Sequence, residues 1–191
     1  FYLNVFGRNS YDGNGSLIKN YLNPVDLQIQ NNKDPENAFA VKSPYNFMAY
    51  GMGNKITSNP WVSIDLVGHE FTHMVVEKRN SSFPPIVYQG ESGALDESFA
   101  DIFGTCNEFY TKPITANWTL FEEIVLPIGG FTRSMSNPNL KQQPDTYNSP
   151  LVNGYWVNPN NINNDYGGVH TNSGVQNYWF YLLSVGDTGT N

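Results

Sequence analysis

Between residues 61 and 78, apolar positions recur with the period of an α-helix. Ile64, Val67, Phe71 and Met74 follow one another at intervals of three or four residues, so a helix would place them on one face. The pattern predicts a helix over residues 61–78 whose apolar face packs against the rest of the molecule.

Two later stretches also favour helices. Acidic residues open the stretch 91–110, where the helix dipole favours them, and Pro113 follows its end. Residues 173–185 are rich in Tyr and Trp and predict a last helix. Residues 1–8 resemble the end of a helix that a turn-rich segment stops.

Short strands are predicted in the first third of the chain. Residues 17–22, 38–41 and 47–50 read as strands separated by Asn, Pro and Gly signals. Residues 127–168 carry many Gly, Pro and Asn residues and are too long for a plain connector, which indicates a functional surface loop region. Strands followed by helices predict an α+β fold in one domain, with a mainly β-rich lobe over residues 1–60 and a helical and loop lobe over residues 61–191.

Composition narrows the classes of partner. The chain has 191 residues, of which 39% are hydrophobic and 15% aromatic, enough for a real core. The net charge of −7 repels phosphate backbones, so no nucleic-acid partner is expected. No apolar run approaches the roughly 20 residues of a membrane-spanning helix. The single cysteine, Cys106, excludes an intramolecular disulfide and is predicted to be a core residue.

The strongest chemical signal is the motif His69-Glu70-Phe71-Thr72-His73 on the first predicted helix. Residues four apart lie on the same face of a helix, so both imidazoles can reach a single metal ion. Glu70 is placed beside them to act on a water molecule. The alternative is a pair of core histidines with an unrelated glutamate.

The second predicted helix offers a third ligand. Zinc hydrolases use three protein ligands and leave one position open for water. Glu97 can supply that ligand, and Asp101, one turn later, can accept a proton from a ligating imidazole. The alternative for both residues is a solvated acidic helix face.

Several ordered blocks resemble the thermolysin family of secreted neutral metalloproteases. The resemblance covers residues 1 to about 186 and rests on HEFTH at 69–73, VYQGESGA at 87–94, Glu97, DIFG at 101–104, RSMS at 133–136 and GGVHTNSG at 167–174. It implies a zincin-like fold in which a small N-terminal β-rich lobe packs on active-site helices that carry HExxH and the third-ligand glutamate.

The resemblance also implies the catalytic roles. Zinc would be bound by His69, His73 and Glu97, with Glu70 as general base and proton shuttle. Asp101 would orient a zinc-bound histidine. The oxyanion would be stabilised by Tyr88 and His170, and Asp165 would hydrogen-bond His170.

The substrate roles follow from the same resemblance. Arg133 would hold the substrate carbonyl beyond the scissile bond, and Asn37 and Ala38 would lie on a strand edge that pairs with substrate backbone. An apolar pocket for the residue after the scissile bond would be lined by Leu66, Leu120 and Ile124. One calcium ion is expected at the acidic residues Asp65, Glu108 and Glu122, completed by Asn117 and Thr119.

The sequence therefore predicts a zinc-dependent endopeptidase that hydrolyses peptide bonds by zinc-activated water, with an apolar preference after the scissile bond. Two alternatives remain open: a non-catalytic metal-binding remnant of the same fold, and a zinc hydrolase with a substrate other than peptide. The expected partners are peptide or protein substrates, with no nucleic acid and no membrane. We expect a secreted monomer and a prosegment in the full-length precursor. The chain itself is expected to be a catalytic core fragment, truncated at both ends relative to the family.

Overall fold

The structure, a computed structural model, describes residues 1–23, 36–78, 86–126, 130–148 and 155–188. Its helices are α1 (Tyr2–Phe6), α2 (Ile64–Glu77), α3 (Gly90–Thr111) and α4 (Asp165–Val185). Its strands are β1 (Lys19–Leu22), β2 (Ala38–Val41), β3 (Phe47–Tyr50), β4 (Thr119–Leu120) and β5 (Arg133–Ser134). A short 3-10 helix spans Pro138–Lys141. The predicted α+β class is confirmed.

The first sheet has β3 at its centre. β1 pairs with β3 in parallel, with Lys19 opposite Phe47, and β2 pairs antiparallel, with Ala38 opposite Tyr50. All four residues of β3 are buried, whereas β1 is exposed. β2 is therefore an edge strand of this sheet, and it packs against α2. β2 and β3 have the predicted bounds, and β1 is two residues shorter than predicted.

Helices α2 and α3 cross at very short range. The Ser63 hydroxyl caps the start of α2 by accepting a hydrogen bond from the Leu66 amide. A Cβ atom on Gly68 would lie 2.9 Å from Gly104 Cα, and one on Gly104 would lie 2.5 Å from the Asp65 carbonyl oxygen. Only glycine permits this approach, which sets the metal-facing side chains of the two helices opposite each other.

The last helix begins earlier than the sequence predicts. The sequence predicts a helix over residues 173–185, whereas α4 starts at Asp165. Asp165, Tyr166, Gly167 and Gly168 have φ values of 51°, 51°, 89° and 77°, so a left-handed turn precedes the regular helix. From the sequence alone, the glycine pair predicts a loop. In the structure this turn continues into the helix, because Gly167 packs closely against Gly90 at the start of α3.

The core lies between the sheet, α2, α3 and the segment that contains β4. Its buried members include Met48, Leu66, Met74 and Ile102, and Cys106 is a half-buried residue beside them, as predicted. The stretch 127–168 contains β5, the 3-10 helix and the start of α4, and residues 127–129 and 149–154 of that stretch lie outside the described residues. None of the described helices is long and apolar enough to cross a membrane.

Candidate metal centre and catalytic cleft

Three metal-binding side chains converge between α2 and α3. The Nε2 atoms of His69 and His73 lie 3.1 Å apart. Glu97 Oε2 lies 3.5 Å from His69 Nε2, and Glu97 Oε1 lies 3.4 Å from His73 Nε2. All three residues are buried, and in the described part of the chain they form the one group of three or more such side chains that could hold a metal ion. A chelating His₂Glu set is the donor set of catalytic zinc.

The outer nitrogen of each imidazole is held by a carboxylate. His69 Nδ1 lies 2.9 Å from Asp101 Oδ1, and His73 Nδ1 lies 2.9 Å from Asp96 Oδ1. A proton on each Nδ1 leaves the lone pair of each Nε2 directed at the Glu97 side of the site, which is the tautomer a metal ligand needs. The sequence motifs do not indicate a role for Asp96, although it stands directly before Glu97.

The charges of the site favour a cation. Burial alone would raise the pKa of Glu97, but the positive charges of His170 and His73 hold it well below its usual range. Burial alone would lower the pKa of His73, but Glu97 and Asp96 outweigh it and raise that pKa to about 10. Carboxylates that attract protons onto these imidazoles would equally attract a metal ion in their place. The residues present therefore fit zinc.

Glu70 lies in the same cleft as the three ligands. Its side chain is buried, and desolvation raises its pKa although His69 and His73 act in the opposite direction. A carboxylate with a raised pKa beside a metal site is suited to accept a proton near neutral pH.

Tyr88 and His170 both lie beside Glu97 Oε1. The Tyr88 hydroxyl donates to Glu97 Oε1 and lies 3.2 Å from His170 Nε2. Asp165 Oδ1 lies 2.6 Å from His170 Nδ1, and Asp165 Oδ2 accepts from the His170 amide at 2.8 Å. Asp165 thereby fixes the ring so that its Nε2 faces Tyr88.

Arg133 and Asn177 complete the network around Asp101. Arg133 Nη1 lies 3.3 Å from Glu97 Oε2 and 3.2 Å from Asp101 Oδ2. Asn177 Nδ2 donates to Asp101 Oδ2 at 2.8 Å, and Asn177 Oδ1 accepts from the Ser98 hydroxyl at 2.8 Å. Asn177 was not predicted, because nothing near it in sequence identifies its partner on α3.

A cleft of about 550 Å³ runs over these residues. Asn37, Ala38 and Leu66, three of the residues predicted to bind substrate, line it. Leu120 and Ile124 are fully buried core residues and do not appear on its wall. The apolar wall beside the ligands is instead made by Phe121 and Trp61, which the sequence did not indicate.

Phe121 holds an unusual position in that wall. Its φ is 65°, in the left-handed region that a bulky residue rarely adopts. The centroid of its ring lies 5.6 Å from that of His69, edge to face, and 5.2 Å from the Arg133 guanidinium carbon. Strained backbone of this kind is found where a functional site fixes a side chain.

The residues predicted to bind calcium lie near one another, around the segment that contains β4. Glu122 accepts from Asn117 Nδ2 at 2.7 Å and from Thr119 Oγ1 at 3.2 Å, and Asp65 Oδ2 accepts from the Phe121 amide at 2.6 Å. Glu108 is buried, and its Oε2 has no hydrogen-bond partner among the described residues. Burial and the charges of Asp65 and Glu122 raise the pKa of Glu108 to about 7. An orphaned, crowded carboxylate fits a hard cation.

Comparison with known proteins gives two family matches. Residues 1–77 match the model described as the thermolysin metallopeptidase catalytic domain, and residues 85–191 match the thermolysin metallopeptidase alpha-helical domain.

Individual relatives agree with those matches. The chain is 39% identical over 189 residues to thermolysin from Alicyclobacillus acidocaldarius subsp. acidocaldarius, which covers 97% of this chain and 30% of that relative. It is 36% identical over 191 residues to bacillolysin from Bacillus cereus, covering 98% of this chain and 30% of that protein. A solved structure, the precursor of protealysin, a metalloproteinase from Serratia proteamaculans, superposes with a TM-score of 0.75 at 27% identity and covers 97% of this chain and 55% of that one. The chain thus spans about 30% of the length of these curated relatives.

Proposed function

This chain belongs to the thermolysin metallopeptidase family, and from that premise we propose that it carries the catalytic machinery of a zinc-dependent metalloendopeptidase. The observation that supports this most is the convergence of His69, His73 and Glu97 in a cleft that also contains Glu70. A ligand set for zinc and a general base in one cleft are the minimum that metal-assisted peptide hydrolysis requires.

When bound, zinc would supply a Lewis acid that polarises the scissile carbonyl and lowers the pKa of a water molecule beside it. Glu70 then accepts a proton from the water that attacks the carbonyl carbon. The same carboxylic acid donates that proton to the departing amine nitrogen, so Glu70 ends the cycle ionised. Its buried position and raised pKa suit both halves of this transfer.

The carbonyl oxygen becomes negative as attack proceeds. The Tyr88 hydroxyl and His170 Nε2 both lie close to Glu97 Oε1, on one side of the metal site. Both can donate a hydrogen bond to the oxyanion, and Asp165 keeps the His170 ring in place for it. Arg133, which already borders the cleft, would hold the carbonyl beyond the scissile bond.

The substrate would bind as an extended peptide along the edge strand β2. Asn37 and Ala38 lie at the start of that strand and line the cleft, so their backbone and side-chain groups can pair with peptide backbone. We propose an apolar preference for the residue after the scissile bond, set by Leu66, Trp61 and Phe121. These residues replace Leu120 and Ile124, which support the wall from the core.

We also propose one calcium ion held by Asp65, Glu108 and Glu122, with Asn117 and Thr119 beside them. The unpartnered Oε2 atom of Glu108 is the observation that favours it. A cation there would connect α2, α3 and the segment after Pro113, and would act on stability without touching the chemistry.

The setting of the protein is proposed from the family. The chain is a single catalytic core, with a β-rich part over residues 1–60 and a helical part over residues 61–191, within a longer protein. That protein acts as a secreted monomer made as a precursor with a prosegment. Sequencing of the full open reading frame tests the last two points, since a signal peptide and an upstream prosegment are expected.

The activity is tested with casein and a furylacryloyl dipeptide, with and without a zinc chelator. A metalloendopeptidase hydrolyses both, loses activity on chelation and regains it with zinc. A non-catalytic remnant binds zinc and hydrolyses neither substrate. A zinc hydrolase of another class also hydrolyses neither, but cleaves a different ester or amide in a chelator-sensitive way.

A further inference from the structure

The carboxylate behind His69 is neutralised by an arginine. Asp101 is fully buried, accepts from His69 Nδ1 and pairs with Arg133 at 3.2 Å. The buried negative charge of Asp101 is therefore compensated by the His69 imidazole and by the Arg133 cation, in addition to the hydrogen bond from Asn177.

The carboxylate behind His73 has the same arrangement with a lysine. Asp96 is also fully buried, its Oδ1 lies 2.9 Å from His73 Nδ1, and its Oδ2 lies 3.2 Å from Lys42 Nζ. Each metal-facing imidazole is thus backed by a carboxylate and a cation. Neither Lys42 nor Asp96 was expected from the motif blocks.

Lys42 makes a further contact across the cleft. Its Nζ lies 5.5 Å from the centroid of the Tyr88 ring, within the range of a cation–π interaction. Lys42 is the first residue after β2, which forms an edge of the cleft, and its side chain is 34% exposed. The Lys42 side chain therefore connects the edge strand β2 to Asp96, which holds His73, and to the ring of Tyr88, the proposed oxyanion donor.

We propose that Lys42 is a positioning residue of this active site: through Asp96 it fixes the His73 imidazole for zinc, and through the ring of Tyr88 it steadies the hydroxyl that meets the oxyanion. This inference rests on the proposed zinc peptidase function. Its principal test, metal binding, does not require any peptide to be hydrolysed.

Lys42 and Asp96 differ in what happens to each charge when the other residue is replaced. Lys42 is partly exposed, so its ammonium can turn to water when Asp96 is neutral. Asp96 is fully buried, so without Lys42 its charge has His73 alone as a partner. An asparagine at position 96 keeps an oxygen acceptor for His73 Nδ1 and removes the buried charge. The lysine substitution should therefore be the harmful one, and Asp96→Asn should rescue it.

The experiment measures zinc affinity by chelator competition, and the visible spectrum of the cobalt-substituted protein, in the full chain. The variants are Lys42→Met, Lys42→Arg, Asp96→Asn and the double variant Lys42→Met/Asp96→Asn. Lys19→Met, on the exposed strand β1, controls for the loss of one positive charge. Lys42→Met should weaken zinc binding about tenfold, which is the loss expected when the residues that hold a metal ligand are disturbed. It should also change the cobalt spectrum. Lys42→Arg and Lys19→Met should stay within about threefold of the unchanged protein, and both variants that carry Asp96→Asn should bind zinc more tightly than Lys42→Met.

Peptide hydrolysis supplies a second readout. Lys42→Met should lower kcat more than it raises KM, because it disturbs the metal and the oxyanion donor rather than a substrate contact. If Lys42→Met fails to fold while the double variant folds and binds zinc normally, the uncompensated Asp96 charge is the cause and the proposal stands. It is overturned if Lys42→Met binds zinc as tightly as the unchanged protein, or if the double variant is no better than Lys42→Met. A chain that shows this metal-binding pattern but no peptidase activity would contradict the proposed function alone.

Discussion

Asn177 on α4 donates a hydrogen bond of 2.8 Å to Asp101 on α3, the carboxylate that holds His69. The amide oxygen of Asn177 is occupied by the Ser98 hydroxyl, so both ends of this fully buried side chain are used. The last helix of the described chain therefore supports the metal site directly, through one buried amide.

Replacing Asn177 with Leu should destabilise the protein and weaken zinc binding together. The change leaves the buried Ser98 hydroxyl unpaired, which costs about 1–3 kcal/mol. It also leaves Asp101 Oδ2 with Arg133 as its remaining partner. Thermal melts and zinc competition measure the two effects. Ser98→Ala removes only the hydrogen bond between Ser98 and Asn177 and should leave zinc affinity unchanged. Equal losses of zinc affinity in the two variants would contradict the role given to Asn177.

His170→Ala and Tyr88→Phe should each lower kcat more than they raise KM. Their hydrogen bonds strengthen only as the carbonyl oxygen becomes negative, and loss of one oxyanion donor is typically worth about 10²–10³-fold in kcat. Steady-state kinetics on one dipeptide substrate measure both constants for each variant. A variant that changed KM alone would place its residue in ground-state binding instead.

Phe121→Gly should broaden the choice of residue after the scissile bond. Removal of the ring opens the cleft wall beside His69, and glycine adopts the φ of 65° without strain. We expect kcat/KM for peptides with Phe after the scissile bond to rise about tenfold relative to peptides with Ala there. Both peptides are measured with the same protein sample, so the ratio of their kcat/KM values does not depend on the fraction of active protein. An unchanged ratio would show that Phe121 does not limit the size of this pocket.

Calcium should stabilise the protein more at pH 8 than at pH 5. The pKa of Glu108 is about 7 in the folded chain and near 4.5 when unperturbed. Between these values the folded form holds a proton that the unfolded form has lost, so stability without calcium falls as the pH rises through this range. Calcium binds the ionised carboxylates and should reverse that loss.

Thermal melts at fixed zinc, with calcium varied at both pH values, test this expectation. Glu108→Gln is the matched variant, because it keeps the shape and removes the titrating group. Its melting temperature without calcium should lack the fall between pH 5 and pH 8 that Glu108 causes. A melting temperature that calcium leaves unchanged at pH 8 would remove calcium from the account.

The sequence predicted the parts of the site that follow from local spacing. His69 and His73 share a helix face because they are four residues apart, and Glu97 and Asp101 lie on the predicted second helix. Asp96 and Asn177 were missed because their roles depend on what α2 and α4 bring to α3. The early start of α4 was missed because Gly167 and Gly168 predict a loop until the docking of that turn on Gly90 is seen.

The central claim is that Glu70 moves the proton while zinc stays on His69, His73 and Glu97. The most direct measurement is peptide turnover of Glu70→Gln, with zinc quantified in the same sample. The amide keeps the size of the side chain and cannot accept the proton, so we expect one zinc ion per chain and a loss of turnover of about 10²–10⁴-fold. A Glu70→Gln protein that retained zinc and hydrolysed peptide at the rate of the unchanged protein would contradict the account.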